Sequence, residues 1–195
     1  MYILDNGRKR VMKQKQKSFT LVEILMVAGM IALIAAVVIV SYNGIYRSWA
    51  TGNTVATMKC AHLAIDKHML ENGTYPIGND TLGKIAKNTS SKLMSELKQE
   101  CSPYSYEKNG NLLIFDDFGP KPPKTPCEIY YKFPIDSTTN AFMLMSMGKD
   151  GSWGGEDDII YLPFGWAAKN LKPGFYMATV TSAGAISGEL EPIAQ

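Results

Sequence analysis

The stretch KQKSFTLVEILMVAGMIALIAAVVIV, residues 15–40, decides the fold of this chain. Its apolar part, residues 19–40, would be about 33 Å long as a helix, which is enough to cross a bilayer. One carboxylate, Glu23, interrupts the apolar run. Because a charge at the centre of a bilayer costs about 2.5–3.5 kcal/mol on insertion scales, the segment needs a physical reason to retain Glu23.

The charge of the chain is unevenly distributed although the net charge is only +2 at pH 7. Residues 1–18 contain a single acid, Asp5, and the bases Arg8, Lys9, Arg10, Lys13, Lys15 and Lys17. A basic segment directly before an apolar run predicts a membrane anchor with its N-terminus in the cytoplasm and the rest of the chain exported. Nucleic-acid binding is the weaker interpretation, because the remaining chain has more acids than bases and lacks a recognisable binding motif.

Helical periodicity continues beyond the apolar run. An apolar stripe with three- and four-residue spacing is formed by Val55, Met58, Ala61, Ile65 and Met69. It ends at Asn72-Gly73, with Pro76 close behind, which is a typical helix stop. We therefore expect one long helix with a membrane half at 19–40 and an amphipathic half at 41–73, bent near Gly44 or Gly52.

After residue 73 the sequence pattern changes from one long helix to short helices and short strands. Short helices are predicted over about 81–87 and 90–100. Runs of β-type residues follow at 111–115, 128–133, 141–147, 158–164 and 175–182, bounded by turn-forming residues. Helix first and strands later predict an α+β class, with residues 74–195 forming a globular head whose antiparallel sheet packs on the long helix.

Three cysteines are too few for a disulfide scaffold. In an exported head Cys101 and Cys127 can close a loop, which leaves Cys60 as a small buried apolar residue. His62 and His68 are six residues apart in a helical pattern, and no cysteine and histidine spacing predicts a zinc site.

The residues around the junction, Lys17-Ser18-Phe19-Thr20-Leu21-Val22-Glu23, resemble the type IV prepilin signature. The resemblance implies a pilin-like fold, cleavage by a prepilin peptidase between Ser18 and Phe19, and N-methylation of the new terminus at Phe19. The family usually has glycine where this chain has Ser18. The chain is similar to this family and to the pseudopilins of type II secretion.

Cleavage would offer a reason to retain Glu23. The new ammonium group at Phe19 of one subunit can meet the Glu23 carboxylate of a neighbour in a filament of packed helices, which offsets part of the desolvation cost of both charges. Glu23 would then act in assembly. An ordinary signal anchor, with Glu23 reaching toward the lipid headgroups, is the alternative.

A second stretch, AFMLMSMGKDGSWGGEDDIIY at 141–161, resembles the calcium loop of the major pseudopilin. Ca²⁺ takes six to eight oxygen ligands, which glycine-rich turns can bring together. The ligands expected from the resemblance are Asp150, Asp157, Asp158 and the backbone carbonyl of Met147. A solvated acidic turn is the alternative. A weaker similarity to the same family is Glu71-Asn72-Gly73-Thr74-Tyr75-Pro76.

The function predicted from these observations is structural. The chain would be a subunit of a type II secretion pseudopilus or a pilus-like filament, anchored in the bacterial inner membrane with a periplasmic head before assembly. Its partners would be other copies, other pseudopilins, the prepilin peptidase/methyltransferase and the assembly platform. A membrane-anchored, calcium-dependent binding module that does not polymerise is the alternative. An enzyme is disfavoured because no nucleophile motif or metal-hydrolase motif is present.

Overall fold

The helices and strands are taken from a computed structural model that describes residues 19–116, 127–148, 150–181 and 186–193. The cleavage-site residue Ser18 lies outside the described residues. The helices are α1 (Leu21–Asn72), α2 (Leu82–Thr89) and α3 (Ser91–Glu100). The strands are β1 (Gly78–Thr81), β2 (Ser105–Lys108), β3 (Asn111–Ile114), β4 (Tyr130–Phe133), β5 (Met143–Ser146), β6 (Asp158–Leu162), β7 (Gly174–Val180) and β8 (Ile186–Pro192).

The chain divides into two compact units at the junction between residues 43 and 44. The first unit contains the apolar part of α1, of which Leu21–Ile39 is long and apolar enough to cross a membrane. Every side chain in that range is exposed. The second unit contains the rest of α1 and the whole sheet.

The part of α1 in the second unit is amphipathic, as its periodicity predicts. Met58, Ala61 and Ile65 are fully buried in the main core, while Val55 and Met69 are partly buried. The helix stops at Gly73, which has φ +75° and donates its N–H to the carbonyl of Met69 at 2.7 Å. A left-handed residue after the last turn favours glycine because glycine has no Cβ.

The described strands form a six-stranded antiparallel sheet and a separate hairpin. The order in the large sheet is β1-β4-β5-β6-β7-β8, and β2 pairs with β3. Antiparallel register is set by pairs such as Tyr131 with Leu144 and Ile160 with Tyr176. The α+β, pilin-like class predicted from the sequence is confirmed.

The large sheet is covered on both faces. Tyr131, Phe142 and Leu144 belong to the main core, which also contains buried residues of α1, α2 and α3. Met143, Met145 and Ile160 belong to a second core, which Trp153 and Trp166 border. This arrangement explains the nearly continuous burial of β5 and β6, because both sets of alternating side chains are covered.

The predicted disulfide was wrong. Cys60 of α1 is bonded to Cys101 at the end of α3, with their Cα atoms 5.5 Å apart, and Cys127 is a free thiol. The reason is the packing of α3 against α1, since Cys101 lies in the main core and Cys60 packs against it.

Candidate functional site

The first candidate site is the start of α1, where Thr20 and Glu23 form a reciprocal capping box. The Glu23 Oε2 atom accepts hydrogen bonds from the backbone N–H and the hydroxyl of Thr20, both at 2.9 Å. In return the Thr20 Oγ1 atom accepts from the backbone N–H of Glu23 at 3.2 Å. The box satisfies donors that the first turn of a helix leaves unpaired.

This capping box gives the Glu23 carboxylate partners within its own chain. A carboxylate in the first turn is also favoured by the positive end of the helix dipole. The role of Thr20 was not predicted, although the pattern Thr-x-x-Glu before an apolar run is a recognised sequence signal for a capping box. Glu23 therefore has a local role in starting α1 that does not depend on a neighbouring subunit.

Phe19, the predicted mature terminus, directly precedes this box and is 78% exposed. Glu23 and Ile24 are exposed with it, so the two residues predicted to meet across subunits are both accessible at the same end of the helix. No described residue of the same chain covers them.

The second candidate site is the acidic loop, residues 147–158, of which Lys149 lies outside the described residues. The loop connects β5 to β6 and begins with Met147 and Gly148. Gly148 has φ +66°, and a Cβ added there would lie 2.1 Å from the carbonyl oxygen of Asp157. Only glycine fits this close approach, which brings the two ends of the loop together.

Asp150 and Asp157 converge across this loop. The backbone N–H of Asp150 donates to the Asp157 Oδ2 atom at 3.2 Å. A Cβ added at Gly155 would lie 2.5 Å from the Asp157 Oδ1 atom and 2.9 Å from the Asp150 Oδ2 atom. Two oxygens from different carboxylates thus approach the same point, and the absence of a side chain at Gly155 keeps that point open.

Asp158 is placed differently, at the buried start of β6. Its Oδ2 atom accepts hydrogen bonds from the backbone N–H groups of Val180 at 2.8 Å and Gly154 at 3.3 Å. Its Oδ1 atom is buried and has no hydrogen-bond partner among the described residues. Burial raises the pKa of Asp158 to about 6, the two backbone donors oppose that rise, and the negative charges of Asp157 and Asp150 add to it.

These three carboxylates do not form a complete metal-binding cluster. In the part of the chain that the structure describes, no group of three or more His, Cys, Asp or Glu side chains is arranged to hold a metal ion. The donor chemistry still fits Ca²⁺, which takes carboxylate and carbonyl oxygens. The orphaned Asp158 Oδ1 atom is the observation that a cation would explain best, because an unpaired buried oxygen is costly.

Two residues beside the acidic loop, Asp116 and Cys127, were not predicted from the sequence to belong to this site. Asp116 is 1% exposed and accepts a short hydrogen bond from the hydroxyl of Ser146 at the end of β5. Burial raises the pKa of the Cys127 thiol, and the charges of Asp116 and Asp150 raise it further. The contact between Asp116 and Ser146 depends on how the strands pack in the folded chain. No pattern in the sequence therefore predicts that Asp116 lies beside this loop.

The chain is 28% identical over 148 residues to the type II secretion system core protein G of Pseudomonas aeruginosa, covering 75% of this chain and 92% of the relative. It is 26% identical over 145 residues to the protein of the same name from Escherichia coli K12, covering 74% and 90%. These two matches support the resemblance of this chain to the pseudopilin family. No protein-family model matches the chain, and no solved structure gives a significant match.

The pseudopilin-like assignment agrees with the other observations. Both relatives are named as core proteins of a secretion system, which agrees with the structural role predicted for this chain. The exposed apolar part of α1 fits a membrane-anchored pseudopilin. The resemblance stated from the N-terminal heptapeptide is thereby extended to most of the chain.

Proposed function

We propose that this chain is a structural subunit of a type II secretion pseudopilus. The observation that supports this function most strongly is the similarity to two secretion-system core proteins, which reaches about nine-tenths of each relative. The α+β head and the exposed apolar segment of α1 agree with it. The subunit is held in the inner membrane by α1, with the head on the periplasmic side, until it enters the filament.

Maturation is the first step of the proposed function. A prepilin peptidase cuts between Ser18 and Phe19, and the new terminus at Phe19 is N-methylated. In the filament the Phe19 ammonium of one subunit pairs with the Glu23 carboxylate of its neighbour. The capping box keeps Glu23 hydrogen-bonded before assembly, so the intersubunit pair adds a charge partner to an already ordered carboxylate.

Expression of the full chain with a prepilin peptidase tests this step. We expect mass spectrometry to find a mature chain that begins at methylated Phe19, and electron microscopy to find filaments. Glu23→Ala should retain cleavage and membrane insertion but lose filaments, while Ser18→Gly should be cut at least as well as the wild type. A native product that still begins at Met1 would contradict the filament function and would favour a tethered, non-polymerising binding module.

Calcium binding in the acidic loop is a separate part of the proposal. Asp150, Asp157, Asp158 and the backbone carbonyl of Met147 would hold Ca²⁺, and the ion would neutralise the repulsion between the loop carboxylates. Millimolar Ca²⁺ should raise the melting temperature of the protein, with Mg²⁺ as the control ion because it demands a stricter geometry. An unchanged melting temperature would remove calcium from the proposal without affecting the filament function.

A further inference from the structure

A buried carboxylate outside the acidic loop is connected to the start of that loop. Asp116 follows β3, is 1% exposed, and accepts a hydrogen bond from the Ser146 hydroxyl at its Oδ2 atom. Ser146 is the last residue of β5 and is fully buried. A buried carboxylate is costly unless it is hydrogen-bonded, so the Ser146 hydroxyl helps to stabilise Asp116 in the interior.

Ser146 also contacts the acidic loop. Its Oγ atom accepts a hydrogen bond from the backbone N–H of Gly148 at 3.2 Å. A hydroxyl group has one hydrogen, which is donated to Asp116 here, and its lone pairs are left to accept from Gly148. We call these three groups the Asp116 relay, because the carboxylate orients the hydroxyl and the hydroxyl holds the loop backbone.

The Asp116 relay fixes one peptide plane of the acidic loop. The N–H of Gly148 and the carbonyl of Met147 belong to the same peptide unit, which is planar and trans. The two groups of a trans unit point in opposite directions. Because the Gly148 N–H points to Ser146, the Met147 carbonyl points away from Ser146. This carbonyl is one of the oxygens proposed above as a calcium ligand.

The residue that the relay holds also touches the far end of the acidic loop. A Cβ added at Gly148 would lie 2.1 Å from the carbonyl oxygen of Asp157 and 3.0 Å from its carboxyl carbon. The position of Gly148 therefore limits where Asp157, another proposed ligand, can lie. Displacement of Gly148 would disturb two proposed ligands at once.

Two buried carboxylates hold the acidic loop from opposite faces of the sheet. Ser146, the partner of Asp116, lies on the face of β5 that also carries Leu144 of the main core. Asp158 lies on the face of β6 that also carries Ile160 of the second core. Asp158 is a proposed ligand, whereas Asp116 reaches the loop through the Ser146 hydroxyl, so the two carboxylates have different roles.

We propose that Asp116 is a positioning residue for calcium: through Ser146 it sets the direction of the Met147 carbonyl before the ion binds. The inference rests on the calcium binding proposed above and gives Asp116 no contact with the ion. Ligands that are already oriented bind more tightly, because less ordering is needed on binding. Loss of the relay should therefore weaken calcium binding although every proposed ligand is retained.

Calcium titration of the full chain in detergent micelles tests this role. Asp116→Ala removes the acceptor for the Ser146 hydroxyl and should weaken calcium binding about tenfold in isothermal titration calorimetry, which corresponds to about 1.4 kcal/mol. Asp116→Asn retains an oxygen that can accept the same hydrogen bond and should bind calcium nearly as well as the wild type. Equal losses in both variants would overturn the relay, because Asp116 would then act through its negative charge. Wild-type affinity in Asp116→Ala would also overturn it.

A double variant tests whether Asp116 acts through Ser146. Ser146→Ala should weaken calcium binding as much as Asp116→Ala, and it carries the test if Asp116→Ala does not fold. The double variant should bind calcium no more weakly than either single variant, because residues of one network are not additive. Additive losses would contradict the relay. Asp136→Asn is the control for a general loss of stability, since Asp136 accepts from Trp166 outside the acidic loop, and it should bind calcium normally.

Amide hydrogen exchange gives a second measurement that needs no calcium. In a chelator the Gly148 amide should exchange about tenfold faster in Asp116→Ala than in the wild type, while the Leu144 amide inside β5 should be unaffected. Unchanged exchange at Gly148 would overturn the relay. Faster exchange with unchanged calcium affinity would overturn its role in calcium binding. A wild-type chain that binds no calcium would overturn this inference together with the proposed calcium site, and would leave the filament function intact.

Discussion

The Nδ1 atom of His62 in α1 lies 2.8 Å from the phenolic oxygen of Tyr161 in β6. The Nε2 atom of the same ring lies 2.8 Å from the Asp66 Oδ2 atom, one turn further along α1. The rings of Phe142 and Phe164 pack edge-on against the imidazole, with centroids 5.7 and 6.0 Å away. The contact between the His62 imidazole and the Tyr161 phenol therefore joins the long helix to the central part of the sheet.

Removal of one hydroxyl group tests the value of this link. Tyr161→Phe should lower the free energy of unfolding by about 0.5–1.5 kcal/mol, because the half-buried His62 nitrogen loses its partner. The ring itself stays stacked on Phe175 at 4.2 Å, so packing is retained. Urea denaturation measures the change. Tyr104→Phe is the control, since its hydroxyl contacts Asn53 at only 3.5 Å; equal losses in both variants would contradict a specific helix-to-sheet link.

The Cys60–Cys101 disulfide should contribute strongly to stability. It closes a loop with a sequence separation of 41, for which chain entropy predicts about 4 kcal/mol at most. Cys60→Ser or Cys101→Ser should lower the melting temperature by about 5–15 °C in non-reducing calorimetry. Cys127→Ser should leave the melting temperature nearly unchanged. A large loss with Cys127→Ser and none with Cys60→Ser would restore the pairing that the sequence suggested.

Asp136 should make the head sensitive to acid. Hydrogen bonds from the hydroxyl and backbone N–H of Thr138, followed by the indole of Trp166 and by Thr139, hold the pKa of Asp136 far below its ordinary value. A depressed carboxyl pKa stabilises the folded state above about pH 4, and that contribution is lost as the pH falls further. The indole N–H signal of Trp166 in NMR spectra should therefore stay unchanged down to about pH 4. In Asp136→Ala it should already be shifted at pH 7.

The Asp158 carboxylate should have opposite effects with and without calcium. In a chelator at pH 7, Asp158→Asn should raise the melting temperature, because it removes a negative charge that is disfavoured by burial and by the charges of Asp157 and Asp150. With millimolar Ca²⁺ the wild type should gain stability and Asp158→Asn should gain little. Asp157→Asn is the matched variant, expected to lose the calcium response without gaining stability in the chelator. Equal shifts of the melting temperature by calcium in all three proteins would exclude the acidic loop as the calcium-binding site.

Thr20 allows the capping box to be separated from the intersubunit charge pair. Thr20→Ala removes the side-chain cap and should destabilise the first turn of α1 by about 0.5–2 kcal/mol, whereas Thr20→Ser retains the hydroxyl. Filament yield should fall with Thr20→Ala and recover with Thr20→Ser. If Thr20→Ala assembles normally while Glu23→Ala does not, the capping box is not needed for assembly. Glu23 would then act in assembly only through its charge pair with a neighbouring subunit.

The periodicity of apolar residues and the positions of turn-forming residues predicted much of the fold. The length of α1, its stop at Gly73 and the five strands β3 to β7 follow from patterns of apolar residues, because the strands and the second half of α1 pack one or both faces into a core. Strands β1, β2 and β8 were missed. Their residues, such as Asn79, Glu107 and Glu189, are polar and mostly exposed, so only backbone pairing with neighbouring strands identifies them.

The candidate sites were predictable only in part. The acidic loop was found from its composition, but the different environment of Asp158 depends on the backbone of Val180 in a distant strand. The Asp116–Ser146 hydrogen bond likewise depends on tertiary packing. The Thr20–Glu23 box was present in the sequence as a local pattern and could have been found there.

The position of the disulfide constrains the order of events during oxidative maturation in the proposed periplasmic location. Cys101 and Cys127 are nearer to each other along the unfolded chain than Cys60 and Cys101, so random collision favours the wrong bond. Docking of α3 on α1 must precede oxidation for the native bond to form in good yield. A newly exported subunit that is oxidised too early would need a disulfide isomerase before it could become a building block.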